Sequence, residues 1–300
     1  MAVNAFKIKK WVNMLRGKSV YHVKQDAGKI YSKDSLEGYY NNFTEKITLF
    51  GLNDDSVPMT RIDTGEEIFF SISIFQYGLG AYDLYLLNRD SQMRDKFLSC
   101  AKWAVDNQEN NGAWKTFFFE DPSCPYSAMA QGEAISLLLR AYRETNDNEY
   151  FISAKKAKDF MLKPIEVGGT TKYDKDCVYL YEYTYSALVL NGWIFAAWGL
   201  WDYYLATNDK ETYDVYFRTV KTIKKSLKEF DNGFWSKYDI DKRIASPFYH
   251  DLHIAQLQVM YELTGENIFY EYSEKWKKYN NSFWNPKRAF LIKALQKILE

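Results

Sequence analysis

Phe75-Gln76-Tyr77-Gly78-Leu79-Gly80-Ala81-Tyr82 decides how this chain is read, because its pattern returns three times. Ser127-Ala128-Met129-Ala130-Gln131-Gly132-Glu133-Ala134, Leu190-Asn191-Gly192-Trp193 and the stretch from Tyr249 to Thr264 each open or form a comparable apolar segment. Each is followed by a segment charged on one face, at 91–107, 147–162, 210–230 and 266–280. Tyr82, Tyr142, Tyr203 and Tyr261 mark a period of about sixty residues, longer than most solenoid repeats. The first segment of each pair is apolar nearly all round. The second carries charge on one side, as with Lys155, Lys156 and Lys158, or Lys221, Lys224, Lys225 and Lys228. Glycine costs a helix about 1 kcal/mol against alanine, so its recurrence in the first three apolar segments predicts close helix packing. Apolar helices inside amphipathic ones predict a mainly α fold. The expected architecture is an incomplete (α/α) toroid of about four helix pairs.

Working outward, residues 68–300 are expected to form this toroid, and 1–67 a basic helix and an irregular/β segment packed on it. Gly28, Gly38, Gly51, Asp54-Asp55 and Gly65 predict short strands and loops from Asp26 to Glu67. No acidic residue precedes Asp26, and Ile8, Trp11, Val12 and Leu15 fall at helical spacing. Residues 5–16 therefore read as a basic amphipathic helix, either docked on the domain or making a peripheral contact with an anionic membrane. One insertion breaks the rhythm, Lys163 to Tyr183, where Gly168-Gly169 predicts a hairpin turn. After it, Tyr179, Tyr181 and Tyr183 alternate with Val178, Leu180 and Glu182. A carboxylate ending an apolar face either escapes to solvent or is buried with a raised pKa, as a general base near neutral pH requires.

Lys237-Tyr238-Asp239, running through Arg243 to Phe248-Tyr249-His250-Asp251-Leu252-His253, sets phenols, imidazoles and a guanidinium at the mouth of the fourth apolar helix. Such groups can donate and accept protons and hold an anion. They would equally serve as a buried network that pins a helix start. His250 and His253 lack a third ligand at metal-site spacing, so no metal is expected. The turns Asn110-Asn111-Gly112-Ala113-Trp114 and Asp231-Asn232-Gly233-Phe234-Trp235 recur after outer helices. They lead to one end of the ring, where a cleft is expected.

Composition narrows the function. Lysine plus arginine equals aspartate plus glutamate at 39 each, which argues against nucleic-acid binding while permitting an anion in a local groove. Aromatic residues make up 18 % of the chain, with 25 tyrosines, as in clefts that stack sugars or in an aromatic core. Three cysteines imply neither a disulfide framework nor a zinc motif. Met1 to Lys18 has no apolar signal-peptide core, and the longest apolar run, Ala187 to Trp201, is too short to span a bilayer. The expectation is a soluble, cytoplasmic protein.

Gln76-Tyr77-Gly78-Leu79, Tyr126-Ser127-Ala128-Met129-Ala130-Gln131-Gly132, Glu182-Tyr183, Val189-Leu190-Asn191-Gly192, Tyr238-Asp239, Tyr249-His250, His253-Ile254 and Gln256-Leu257 stand in one order over roughly residues 69 to 275. Together they resemble the C-terminal catalytic domain of the glucuronyl C5-epimerases, which turn D-glucuronate into L-iduronate within heparosan and heparan sulfate chains. The resemblance implies an incomplete α/α barrel, proton transfer by Glu182 and Tyr249, and Tyr183 and Tyr238 beside the substrate carboxylate. Arg243 would replace an arginine that the family carries after its Tyr-Asp pair. His250, His253, Trp114, Gln131, Asn191 and Trp235 are the further expected substrate contacts.

No cofactor is expected. The expected partner is an acidic polysaccharide, with membrane contact through the basic N-terminus and a homodimer as secondary expectations. The chemistry requires the developing enediolate to be stabilised and a phenol whose pKa, ordinarily near 10, is lowered by its neighbours. Rival readings are a polysaccharide lyase, a glycoside hydrolase using Glu133 and Glu182, and a carbohydrate-binding domain without catalysis.

Overall fold

A computed structural model describes residues 23–51 and 56–299; the basic segment 5–16 lies outside them. A short helix, α1 (Thr44–Phe50), precedes the ring where only strands and loops were expected. A minimal antiparallel pair follows, β1 (Thr60–Arg61) and β2 (Glu67–Ile68). Four helical hairpins then build the ring. They are α2 (Ser71–Asn88) with α3 (Ser91–Asp106), and α4 (Ala128–Thr145) with α5 (Asn148–Met161). The third is α6 (Leu190–Thr207) with α7 (Lys210–Ser226), and the fourth α8 (Pro247–Thr264) with α9 (Asn267–Asn280). A last helix, α10 (Asn285–Leu299), follows the ring.

The sixty-residue rhythm thus corresponds to a mainly α, incomplete (α/α) toroid. Successive inner helices α2, α4, α6 and α8 touch one another, and each packs on its own outer helix. The inner helices are buried nearly all round: Trp193 and Trp198 of α6 are wholly enclosed. Where α4 crosses α6, a β-carbon on Gly199 would stand 2.5 Å from Gly132 Cα, so only glycines allow this approach.

The four hairpins share one joint. Arg89, Asn146, Asn208 and Gly265 each adopt the left-handed conformation, and their N–H groups donate to the carbonyls of Tyr85, Tyr142, Tyr204 and Tyr261. An acidic residue follows each, and Asp90, Asp147 and Asp209 cap the outer helices through their side chains. These joints close one end of the ring. Longer connections, 107–127, 162–189 and 231–246, lie at the other.

The insertion holds the antiparallel pair β3 (Thr171–Asp174) and β4 (Cys177–Leu180). Its tight turn is at Lys175-Asp176, with Lys175 at φ 51°. Gly168 instead ends a single 3₁₀ turn, so the Gly-Gly pair does not make the hairpin. The alternation does hold: Val178, Leu180 and Glu182 are buried, whereas Tyr179, Tyr181 and Tyr183 are partly exposed. Among the described residues, no helix is long and apolar enough to cross a membrane.

Candidate active site

At the end bearing the long connections lies a cavity of about 630 Å³. The first turns of all four inner helices reach it, through Ser73 and Gln76, Met129, Asn191 and Phe195, and Phe248, Tyr249 and Leu252. Helix N-termini carry partial positive charge and unpaired N–H groups, so four of them around one cavity favour an anionic occupant. Phe117, Phe119 and Glu120 come from the loop after α3, and Glu182 and Tyr183 follow the β3–β4 hairpin.

Glu182 is 5 % exposed and lies against the first turn of α6. A β-carbon at Gly192 would overlap its carboxylate, which explains why glycine follows Asn191 there. Burial, the largest influence, pushes the Glu182 carboxyl up to about 8; a hydrogen bond from Tyr183 and the charge of Arg243 oppose it. Its Oε2 has no hydrogen-bond partner among the described residues.

The tyrosines form a cluster beside this carboxyl. Tyr238 sits edge-on to Tyr249, with ring centroids 4.8 Å apart, and Tyr183 packs on Phe117 at 4.3 Å. Hydrogen bonding links Tyr183 to Tyr238 and Tyr238 to Tyr249. The expectation that neighbours lower the Tyr249 pKa is overturned. Burial and then the Glu182 charge raise it, so at neutral pH this phenol keeps its proton.

The expected contacts separate into two groups. Glu182, Tyr183, Asn191 and Tyr249 line the cavity, and Tyr238 stands directly behind Tyr249. Arg243 does not line it: its guanidinium is paired with Asp239 and lies 5.1 Å from the Tyr238 ring. Trp114, Gln131, Trp235, His250 and His253 are likewise absent from the lining, against expectation. Trp114 packs on Phe75 and its indole N–H donates to Ala104 O at 2.9 Å. Gln131 Nε2 donates to Gly112 O and Ala157 O.

Trp235 stacks on His250 at 3.7 Å and donates to Ala245 O. Ser236 N–H donates to His250 Nδ1, which makes Nε2–H the donor to Trp276 O at 3.1 Å. Ser236 Oγ stands 2.8 Å from His250 Nδ1 and 3.0 Å from His253 Nδ1, bridging the two rings. Burial lowers His250 to about 4 and His253 to about 3, so both are neutral and offer a substrate carboxylate no charge. This half of the stretch is the buried network that fixes the start of α8. Glu133 is also wholly buried away from the lining and accepts from Gln76 at 2.7 Å, so it does not face Glu182 across the cavity.

A family model described as the D-glucuronyl C5-epimerase C-terminus matches residues 108–278. The chain belongs to that family. The D-glucuronyl C5-epimerase of Caenorhabditis elegans is 27 % identical over 223 residues, covering 65 % of this chain and 36 % of that protein. An uncharacterized protein of Methanocaldococcus jannaschii is 31 % identical over 157 residues, covering 50 % of this chain and 51 % of its own. The chain thus spans about a third to a half of these curated relatives.

Two solved structures are also similar. The unsaturated glucuronyl hydrolase of Bacillus sp. GL1 matches with TM-score 0.46 and 12 % identity, over 73 % of this chain and 61 % of that one. A UGL variant with dGlcA-Glc-Rha-Glc matches with TM-score 0.49 and 12 % identity, over 69 % and 61 %.

The site of this epimerase-family chain includes groups with no local signature in the sequence. Lys46 and Gln25 enter from the segment before the ring, and Asp63 from the β1–β2 connection. Only the run Phe117-Phe118-Phe119 could have pointed to the aromatic wall.

Proposed function

We propose that this chain inverts C5 of D-glucuronate residues within a polysaccharide, giving L-iduronate. The observation that carries the reading is a single cavity lined by the Glu182 carboxyl and the Tyr249 phenol in a chain of the C5-epimerase family. In its ionised form Glu182 removes the C5 proton, and the electron pair moves into the substrate carboxyl as an enediolate. Tyr249, which holds its proton at neutral pH, then gives it to the opposite face of C5; the enediolate carbon is a far stronger base than a phenolate, so a lowered phenol pKa is not needed in this direction. Tyr183, which lines the cavity, stays protonated because burial raises it well above the usual phenol range, and it donates to the developing charge. Tyr238, raised in the same way, supports Tyr183 and Tyr249 from behind by hydrogen bonding.

The hydrogen-bonded order Glu182, Tyr183, Tyr238, Tyr249 also offers a path by which the proton gained by Glu182 returns to Tyr249. In this scheme Arg243 acts through the Tyr238 ring and the charge it places near Glu182, not by contact. Asn191 contributes a cavity-facing amide whose Oδ1 has no partner among the described residues. The partner in this reading is an acidic glycan.

Incubation with a non-sulfated polysaccharide of alternating glucuronate and N-acetylglucosamine in D₂O, followed by NMR, tests the proposal. Deuterium at C5 together with iduronate signals is the expected result. Unsaturated uronate in place of iduronate would move the assignment to a lyase, and new reducing ends to a hydrolase. Unchanged polysaccharide would leave no catalytic role on this substrate.

A further inference from the structure

The proposed chemistry calls for a cation near the substrate carboxylate, yet Arg243 is paired with Asp239 outside the cavity and both site-end histidines are neutral. Two cations line the cavity among the described residues, Lys46 and Arg61. Arg61 is exposed at the rim on a two-residue strand, with its Nε donating to Gly65 O. Lys46 is different in kind. It is 5 % exposed, sits in the inward face of α1, and reaches the cavity beside the first turn of α2.

A buried ammonium is costly unless it is paired or hydrogen-bonded. Lys46 Nζ donates to Gln76 Oε1 at 2.6 Å, and Gln76 Nε2 donates on to Glu133 Oε1 at 2.7 Å. This fixes the amide orientation and holds the ammonium in one place. Gln76 is its one hydrogen-bond partner among the described residues, whereas an ammonium has three donors.

Glu133 does not cancel the charge. It reaches Lys46 only through the Gln76 amide, and burial, the largest influence, drives its carboxyl well above the carboxylate range and so favours its uncharged form. Lys46, lowered to about 8 by the same desolvation, remains largely charged at neutral pH. A positive charge is therefore built into a cavity wall, with two of its donors uncommitted among the described residues. Glu133 feels the charges of both Lys46 and Glu182, which places all three in one electrostatic neighbourhood.

We propose that Lys46, oriented by Gln76 and Glu133, binds the carboxylate of a uronate residue lodged in the cavity. This rests on the uronate reading above and names the group that would make the site select acidic sugars over neutral ones.

The test compares two hexasaccharides by calorimetry: one of alternating glucuronate and N-acetylglucosamine, and its carboxyl-reduced, glucose-containing counterpart. The unmutated protein should bind the carboxylate form at least about tenfold more tightly, since a charged group left unpaired costs that much or more. Lys46→Met should abolish this preference while leaving affinity for the reduced sugar unchanged. Lys46→Arg should keep a preference.

Retention of the full preference by Lys46→Met would overturn the proposal, as would equal binding of both sugars by the unmutated protein. C5 exchange in D₂O, measured alongside, reports on the epimerase reading separately. Should Lys46→Met fail to fold, protein labelled with ε-¹³C lysine answers the same question. The Lys46 resonance, assigned by its absence in Lys46→Arg, must shift with the carboxylate sugar and not with the reduced one; an unmoved resonance overturns the proposal.

Discussion

Two clusters of buried charged groups in this ring are built on opposite principles. Arg140 on α4 faces Asp202 on α6, with Nη1 2.5 Å from Oδ2, and its other donors reach the carbonyls of Glu37, Gly38 and Ser136. Tyr40 completes the cluster by donating to Asp202 Oδ1 at 2.7 Å. There the charges cancel and the donors are spent. Around the cavity, Glu182 and Glu133 each leave a carboxyl oxygen without a partner among the described residues, Lys46 holds uncommitted donors, and three tyrosines crowd one carboxyl. A saturated cluster ties helices together. An unsaturated one bears a free-energy cost that a substrate can offset.

The sharpest way to break this contrast is to remove the proton-transfer groups. Glu182→Gln and Tyr249→Phe should each lower C5 exchange with inversion by about a hundred- to ten-thousandfold, read by NMR in D₂O. The double mutant should be little worse than either alone. Retention of full activity by Tyr249→Phe would make the phenol structural.

Next in size is the saturated cluster. Arg140→Met strands a buried carboxylate and should cost about 3–5 kcal/mol in denaturant unfolding, with activity per folded molecule nearly unchanged. A small loss of stability would remove the distinction drawn between the clusters.

The third effect is on pH. If ionised Glu182 is the base, the rate should rise about tenfold per pH unit and level off above about 8. Linkage runs the other way. The folded pKa lies above the unfolded value, so the stability contributed by Glu182 is complete below about 4.5 and is lost as pH rises through about 8. Glu182→Gln should therefore unfold at a higher temperature than the parent at pH 9, and at a similar one at pH 4.

The smallest expected effect comes from Gly192→Ala. Its β-carbon would press on the Glu182 carboxyl and should slow exchange about tenfold, since about 1 Å of misplacement can cost a hundredfold. Rates equal to the parent would mean that the carboxyl has room to move.

Periodicity made the ring legible, because inner helices that are apolar on every side and outer ones that are not leave different traces in sequence. The alternation through Val178, Leu180 and Glu182 put the carboxylate on the face that is buried, but could not decide between burial and escape to solvent at the strand end. The stretch around Tyr249 was harder, since adjacent helical residues point apart: Tyr249 turns to the cavity while His250 turns to Ser236 and the core, and His253, one turn deeper along the helix, meets the same Ser236. Composition cannot tell these faces apart. The two tryptophans at Asn-Gly turns were expected to contact substrate, but each indole N–H is spent on a carbonyl ten residues away. Lys46 was invisible for another reason. Its meaning depends on Gln76 and Glu133, 30 and 57 positions apart along their links, and α1 itself lacked a periodic signal.

The four left-handed joints have a consequence for how such a chain can change over time. Each inner helix is stitched to its outer partner by the same short closure, at the end away from the cavity. Every connection free to lengthen or shorten is at the other end, where Glu120, Glu182 and Tyr183 are carried into the site. Insertions, deletions and exchanges of loops therefore alter what the cavity accepts without disturbing the hairpins beneath it. The scaffold and its specificity are written in separate parts of the chain, and each can vary while the other is held.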